Sequence, residues 1–113
     1  MNIRVHVNGK TTVFKLNDST AAKELYAQLP LEEKVEDYGG KEKIFYPQKK
    51  LNTENTPLAD SVTGSLAYYA PWGDVVMFYE DFGKAPDLFE LGHAVSGIEH
   101  IRTLSGTISI EAE

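Results

Sequence analysis

The chain has 113 residues, no cysteine, and 17 acidic against 11 basic side chains, a formal charge of −6. That length predicts a single domain spanning 1–113. The missing cysteines exclude disulfides, thiolate metal centres and thiol catalysis, and the acidic balance argues against nucleic acid as a partner, because displacing counterions from phosphates needs a basic face. Nothing predicts a membrane partner either. Residues Met1-Asn2-Ile3-Arg4-Val5-His6-Val7 alternate polar and apolar, where a signal peptide needs a continuous apolar stretch. The longest apolar run, Leu66 to Trp72, is far short of the ~20 residues a spanning helix requires. The expectation is a soluble cytoplasmic protein.

The first predicted unit is a β-hairpin. Asn8-Gly9 suits a two-residue type I′ turn, whose central positions both need φ > 0. A loop of those two residues pairs Val7 with Lys10, Val5 with Thr12 and Ile3 with Phe14. Ile3, Val5, Val7, Thr12, Phe14 and Leu16 then share one face, while Arg4, His6, Thr11, Val13 and Lys15 occupy the other. A slip of one residue would scatter the apolar set over both faces.

Asn17-Asp18-Ser19-Thr20 supplies helix N-caps. Ala22, Leu25, Tyr26 and Leu29 follow at helical spacing, and Pro30 stops the helix by disfavouring α geometry at Leu29. So short a helix has to lie on the sheet. Leu31 to Tyr38 reads as one half-exposed strand, Gly39-Gly40 as a turn, and Lys43 to Pro47 as a short strand. Lys49 to Thr63 is a long loop, and loops beyond ~12 residues in compact domains are usually binding segments or lids. Ser65 to Tyr69 forms a strand that breaks at Ala70-Pro71-Trp72-Gly73-Asp74. Val75 to Tyr79 is a continuous apolar strand, the pattern of burial on both faces. After a loop at Glu80 to Asp87, Leu88 to Val95 reads as a strand, Ile98 to Leu104 as a helical turn or two, and Thr107 to Glu111 as a last strand. About seven short strands with two minor helices and no βαβ rhythm predict a mainly β fold: a small closed barrel with one or two short capping helices.

Colinear segments carry a resemblance. They are Ala21-Ala22, Leu29-Pro30-Leu31, Glu42-Lys43-Ile44-Phe45-Tyr46-Pro47, Gly64-Ser65-Leu66-Ala67-Tyr68-Tyr69-Ala70-Pro71, Val76-Met77-Phe78-Tyr79 and Leu91-Gly92. In order and spacing the chain resembles a bacterial and archaeal cyclophilin-like family, except that Ser65 stands where that family usually has Asp. The resemblance implies an eight-stranded barrel with helices at its open ends. It implies little about activity, because the Phe-His-Arg and Gln-Gly-Gly stretches with which true cyclophilins read proline peptides are absent. Arg4 and Arg102 are the only arginines.

Aromatic residues are the main functional signal. Tyr68 to Trp72 sets three rings beside a proline break, and alternation lets only one of Tyr68 and Tyr69 face the interior. Rings with a few hydroxyls suit a small-molecule or short-peptide site, though they also dominate small β cores. The expected binding residues are Tyr46, Tyr68, Tyr69, Trp72 and Phe78 at the barrel opening, with Lys49 to Thr63 as rim or lid. No catalytic residue, cofactor or metal ligand set is predicted. His6 should be solvated, and a Glu90–His93 pair would need a β-bulge. Glu32, Glu33, Glu36 and Asp37 read as a solvated face. The alternatives are a peptidyl-prolyl isomerase working without the usual arginine, and a homodimeric interaction module built on exposed aromatics.

Overall fold

A computed structural model describes Met1–Glu113. The hairpin forms from β1 (Asn2–Val7) and β2 (Lys10–Leu16) in the predicted register, Val7 opposite Lys10, Val5 opposite Thr12 and Ile3 opposite Phe14. Asn8 and Gly9 have φ of 53° and 75°, as the type I′ turn demands. Ile3, Val5, Thr12, Phe14 and Leu16 are buried, and Val7 packs partly buried against them. Ser19 is the N-cap of α1 (Thr20–Ala27), its Oγ accepting the Ala22 N–H at 3.2 Å. Ala21, Ala22 and Leu25 carry the buried face of α1 into the core, with Tyr26 and Leu29 packed at its margin.

The remaining strands are β3 (Leu31–Lys34), β4 (Glu36–Tyr38), β5 (Glu42–Phe45), β6 (Ser65–Tyr69), β7 (Asp74–Phe78), β8 (Leu88–Ser96) and β9 (Thr107–Ala112). A 3₁₀ helix, Ile98–Thr103, fills the predicted helical turn. All pairings are antiparallel, in the order β3-β9-β1-β2-β8-β6-β7-β5-β4. The result is a nine-strand, nearly closed barrel. No helix is long and apolar enough to cross a membrane.

Two corrections follow from the ladder. The stretch Leu31 to Tyr38 is two strands, and they stand at opposite ends of the sheet, β3 on β9 and β4 on β5. Between them Val35 turns into the core, its N–H donating to the Gly106 carbonyl at 2.9 Å. The chain thus crosses the seam at one residue, and the barrel has nine strands where about seven, or eight by resemblance, are expected. Because β3 and β4 do not pair with each other, two edges survive. Both are short, and they carry Glu32, Glu33, Lys34, Glu36 and Asp37, charges that oppose edge-to-edge association. The acidic cluster therefore has a structural role at the seam.

The interior is filled by a 21-residue cluster that includes Phe14, Leu25, Phe45, Leu66, Tyr68, Met77, Leu91 and Ile108. A second cluster, Ile44, Ala59, Ala67, Val76, Phe78 and Leu88, lies on the outside of the same wall. Strand β7 supplies both, Val75 and Met77 inward, Val76 and Phe78 outward. It is buried on both faces, as its unbroken apolar run requires.

The Lys49 to Thr63 segment is fastened to the barrel. The Leu51 N–H donates to Tyr68 Oη at 3.1 Å, the Ala59 N–H to the Leu88 carbonyl at 2.9 Å, and the Glu90 N–H to the Pro57 carbonyl at 2.8 Å. In β8 the pairing passes from Gly92 opposite Leu66 to Glu90 opposite Ala67, so Leu91 is an extra residue in a bulge. Gly92 is pressed against β2 there: a Cβ on it would stand 2.0 Å from the Lys15 carbonyl oxygen. Gly92→Ala is therefore expected to destabilise the protein by roughly 1–3 kcal/mol through overpacking. An unchanged urea midpoint in that variant would contradict the β2–β8 contact.

Candidate functional site: an aromatic cleft on the barrel wall

Alternation along the wall decides which side chains reach its outer surface. From β7 these are Asp74, Val76 and Phe78, joined by Tyr69 of β6, Leu88 of β8, Glu42 of β5 and Tyr38 of β4. No helix covers this surface. The turn after β6 and the loop after β7 do so in part, contributing Trp72 and then Phe82 and Ala85. The turn is held by the Trp72 and Gly73 N–H groups, which donate to the Tyr69 carbonyl at 3.2 and 2.8 Å. What remains open is a cleft of about 200 Å³.

Its rings pack on one another. Trp72 stands edge to face with Tyr38 at 5.0 Å and 85°, and with Tyr69 at 5.8 Å and 71°. Phe78 and Phe82 lie 5.2 Å apart at 31°. Each such pair contributes about 0.5–1.5 kcal/mol beyond area burial, so the walls are preorganised. Trp72, Tyr38 and Phe82 nonetheless stay 45%, 48% and 43% exposed. Rings that only filled a core would not.

Of the expected binding residues, Tyr69, Trp72 and Phe78 meet here. Tyr68 takes the interior position that alternation allows to one of the pair: it is buried, and its hydroxyl accepts from Leu51. Tyr46 follows the end of β5, is exposed, and lies outside the cleft lining. The opening is on the outer wall instead of the barrel mouth, because the interior is packed solid with side chains. Its rim comes from Phe82 and Ala85 in the Glu80 to Asp87 loop, and no residue of Lys49 to Thr63 lines it.

Two carboxyl groups in the cleft lie outside the sequence expectations. Asp74 is only 1% exposed, and its Oδ1 has no hydrogen-bond partner. Burial pushes its carboxyl up to about 6. Glu42 is pushed up to about 7 by burial first and then by the negative charges of Asp74 and Asp37. No lysine or arginine lines the cleft. These groups therefore change charge near neutral pH, without a basic partner to hold them ionised.

The other charged groups are engaged elsewhere. Arg102 lies over the Tyr79 ring, 4.7 Å from its centroid, and pairs with Glu80. The Tyr79 hydroxyl donates to Asp37 Oδ1 at 2.5 Å, and Lys43 approaches the same oxygen at 3.4 Å. Arg4 and His6 both meet Glu111, at 3.5 and 2.5 Å, so His6 is paired and not simply solvated. The bulge that a Glu90–His93 pair needs is present, and both side chains border one shallow depression with Lys15 and Asn17. No hydrogen bond or ion pair joins them. No group of three or more acidic or histidine side chains is arranged to hold a metal ion.

The Asp74 carboxyl sets a pH dependence. Its native value is raised from 3.8, so only well below pH 4 are both folded and unfolded states protonated, and there it contributes nothing. As pH rises, the unfolded chain ionises first and the native state loses relative stability, until Asp74 ionises in the fold near pH 6. Asp74→Asn is thus expected to gain stability relative to the native sequence by up to about 2 kcal/mol between pH 4 and pH 8. Paired urea titrations at the two pH values measure it. A constant difference would show that Asp74 titrates normally.

Comparison with known proteins adds the family. A hypothetical protein from Archaeoglobus fulgidus, whose structure was solved in solution, superposes with a TM-score of 0.74 over 100% of this chain and 95% of its own, at 16% identity. At that identity the likeness is one of fold. No curated protein sequence matches the chain at a significant level. The sequence model of the Cyclophilin-like family matches residues 5–113, and with that coverage the chain belongs to the Cyclophilin-like family.

Proposed function

We propose that this protein is a binding module that takes a small molecule, or one side chain of a short peptide, in the outer-wall cleft formed by Tyr38, Tyr69, Trp72, Phe78 and Phe82. The observation that carries this reading is the coexistence, in one hollow, of half-exposed rings and a buried carboxyl oxygen without a partner. A surface evolved only for packing closes its rings and satisfies its polar atoms. A ligand site leaves both open, as apolar area for affinity and a few polar groups for orientation.

Binding is favoured over isomerisation of proline peptides. Stabilising a rotating amide needs preorganised donors aimed at the developing charge, and both arginines are committed to acidic partners away from the cleft. A protease-coupled proline-peptide assay is expected to show no rate above background.

Trp72 is the only tryptophan in the chain, so its fluorescence reports this cleft alone. A screen of small fragments is expected to yield compounds that shift its emission, and that raise thermal stability by about 2.7 kcal/mol when present at 100 times Kd. Phe78→Ala is expected to weaken such compounds at least tenfold. Fragments that stabilise the protein without touching Trp72 emission, or a screen with no hits, would refute the cleft as the binding site.

A further inference from the structure

We propose that the cleft is selective for an ammonium group carrying at least one N–H on an apolar stem, with the N–H donated to Asp74 Oδ1 and the stem laid against Val76, Phe78 and Leu88. This rests on the cleft being the binding site and names the chemistry of what it binds.

Four observations converge on that chemistry. First, Asp74 lines the cleft, and its Oδ1 is buried behind that surface without a hydrogen-bond partner. An acceptor left in that state costs about 1–3 kcal/mol, more when charged, so the group that completes it has to bring a donor. Second, Asp74 and Glu42 face the cleft with no basic residue in its lining, and none of the five ion pairs in the protein involves either. A cation relieves their charge, whereas an anion would add to it. Third, Tyr38 and Tyr69 meet Trp72 at 85° and 71°, forming an aromatic corner beside the acids. Ring faces attract cations with about 0.5–2 kcal/mol, the larger figure where water is excluded. Fourth, a volume of about 200 Å³ is below the ~300–1,000 Å³ of pockets for drug-sized ligands. It suits a small amine or a single lysine side chain, which present the same ammonium on the same kind of stem.

The titratable groups within reach of Asp74 are Glu42 and Tyr46 from β5 and its exit, Tyr38 from β4 and Tyr69 from β6. Asp37 and Glu36 act on these in turn. Lys50 packs its stem beside Gly73 and forms no ion pair with Asp74. Because Asp74 is held near 6, about a tenth of it is ionised one unit lower, while an alkylamine with a pKa near ~10 stays charged throughout.

The test compares 2-phenylethylammonium with its neutral counterpart 2-phenylethanol by calorimetry and Trp72 fluorescence at pH 5 and pH 8. The ammonium is expected to bind at least tenfold tighter than the alcohol at pH 8 and to weaken about tenfold at pH 5, with the alcohol unaffected. Asp74→Asn is expected to abolish the preference and leave the alcohol's affinity in place. If that variant does not fold, the pH profile of the native protein and of Glu42→Gln carries the same decision. Nα-acetyl-lysine N-methylamide distinguishes the two sources: binding tighter than the free amine assigns the site to a peptide, weaker binding to a small molecule, and both keep the ammonium. Equal binding of amine and alcohol overturns the ammonium assignment and leaves the cleft standing as a site. Failure of both probes overturns the assignment too, and the broader fragment screen then decides the cleft separately.

Discussion

Burial of β7 on both faces is the constraint from which the rest of the molecule follows. Val75 and Met77 are needed inside to complete the barrel core, which forces Val76 and Phe78 outward by strict alternation. A strand with apolar residues on both sides needs a second layer, and in most β proteins with such strands a helix or another sheet supplies it. Here the only α-helix is committed to the interior core through Ala21, Ala22 and Leu25. Loops must therefore cover the outer face. Loops have few apolar side chains and follow irregular paths, so the cover is incomplete. The cleft is what incomplete cover leaves behind.

The interior could not have served instead. A barrel of about eight strands has a bore just wide enough for its own side chains, and here Phe14, Phe45, Tyr68 and Leu91 occupy it with at most 1% exposure each. Tyr68 even uses its hydroxyl to tie down Leu51. The interior therefore leaves no room for a ligand, and the open hollow lies on the outer wall. The fastened loop between β5 and β6 contributes no residue to the cleft lining. It packs Ala59 into the second cluster and is tied to the barrel at Leu51 and Ala59, while the shorter loop after β7 supplies Phe82 and Ala85 to the rim.

How much of this was legible in the sequence depends on the distance over which each residue finds its neighbours. The hairpin register was readable from Asn8-Gly9 and the alternation beside it, since turn geometry and face assignment are local. The double burial of β7 was readable for the same reason. The split at Val35 was not: Leu31 to Tyr38 alternates well enough for one strand, and only the closing of the sheet tells Val35 to cross a seam. Within the site, Tyr69, Trp72 and Phe78 were legible because a proline break and strand alternation aim them. Asp74 was legible in principle, being two and four residues from Val76 and Phe78 on one face. A charged residue at the start of a strand normally ends in water, however, and nothing local marks this one as buried. Tyr38 and Phe82 come from segments remote in sequence, and no local pattern marks them. Tyr46 follows β5 closely, yet the chain has left the sheet by then, and the residue lies outside the cleft lining.

The carboxyls of the cleft and those on β4 and β9 are treated in opposite ways, and the contrast bears on what the cleft is for. Asp37 is given a tyrosine hydroxyl and a lysine, and its carboxyl is held below the ordinary carboxylate range, chiefly by Tyr79. Glu111 is likewise lowered, first by its bond to His6 and further by Arg4. The fold thus has the means to satisfy an acid, and does so where the acid stabilises the structure. Asp74 is buried more deeply than either and receives none of this. Asparagine at this position would keep the shape without a charge to bury, and removing an unpaired buried charge generally raises stability. Sequences that keep a destabilising group at an open hollow tend to do so because activity requires it. On the reading proposed above, Asp74 is one half of an ion pair whose second member comes from outside the chain.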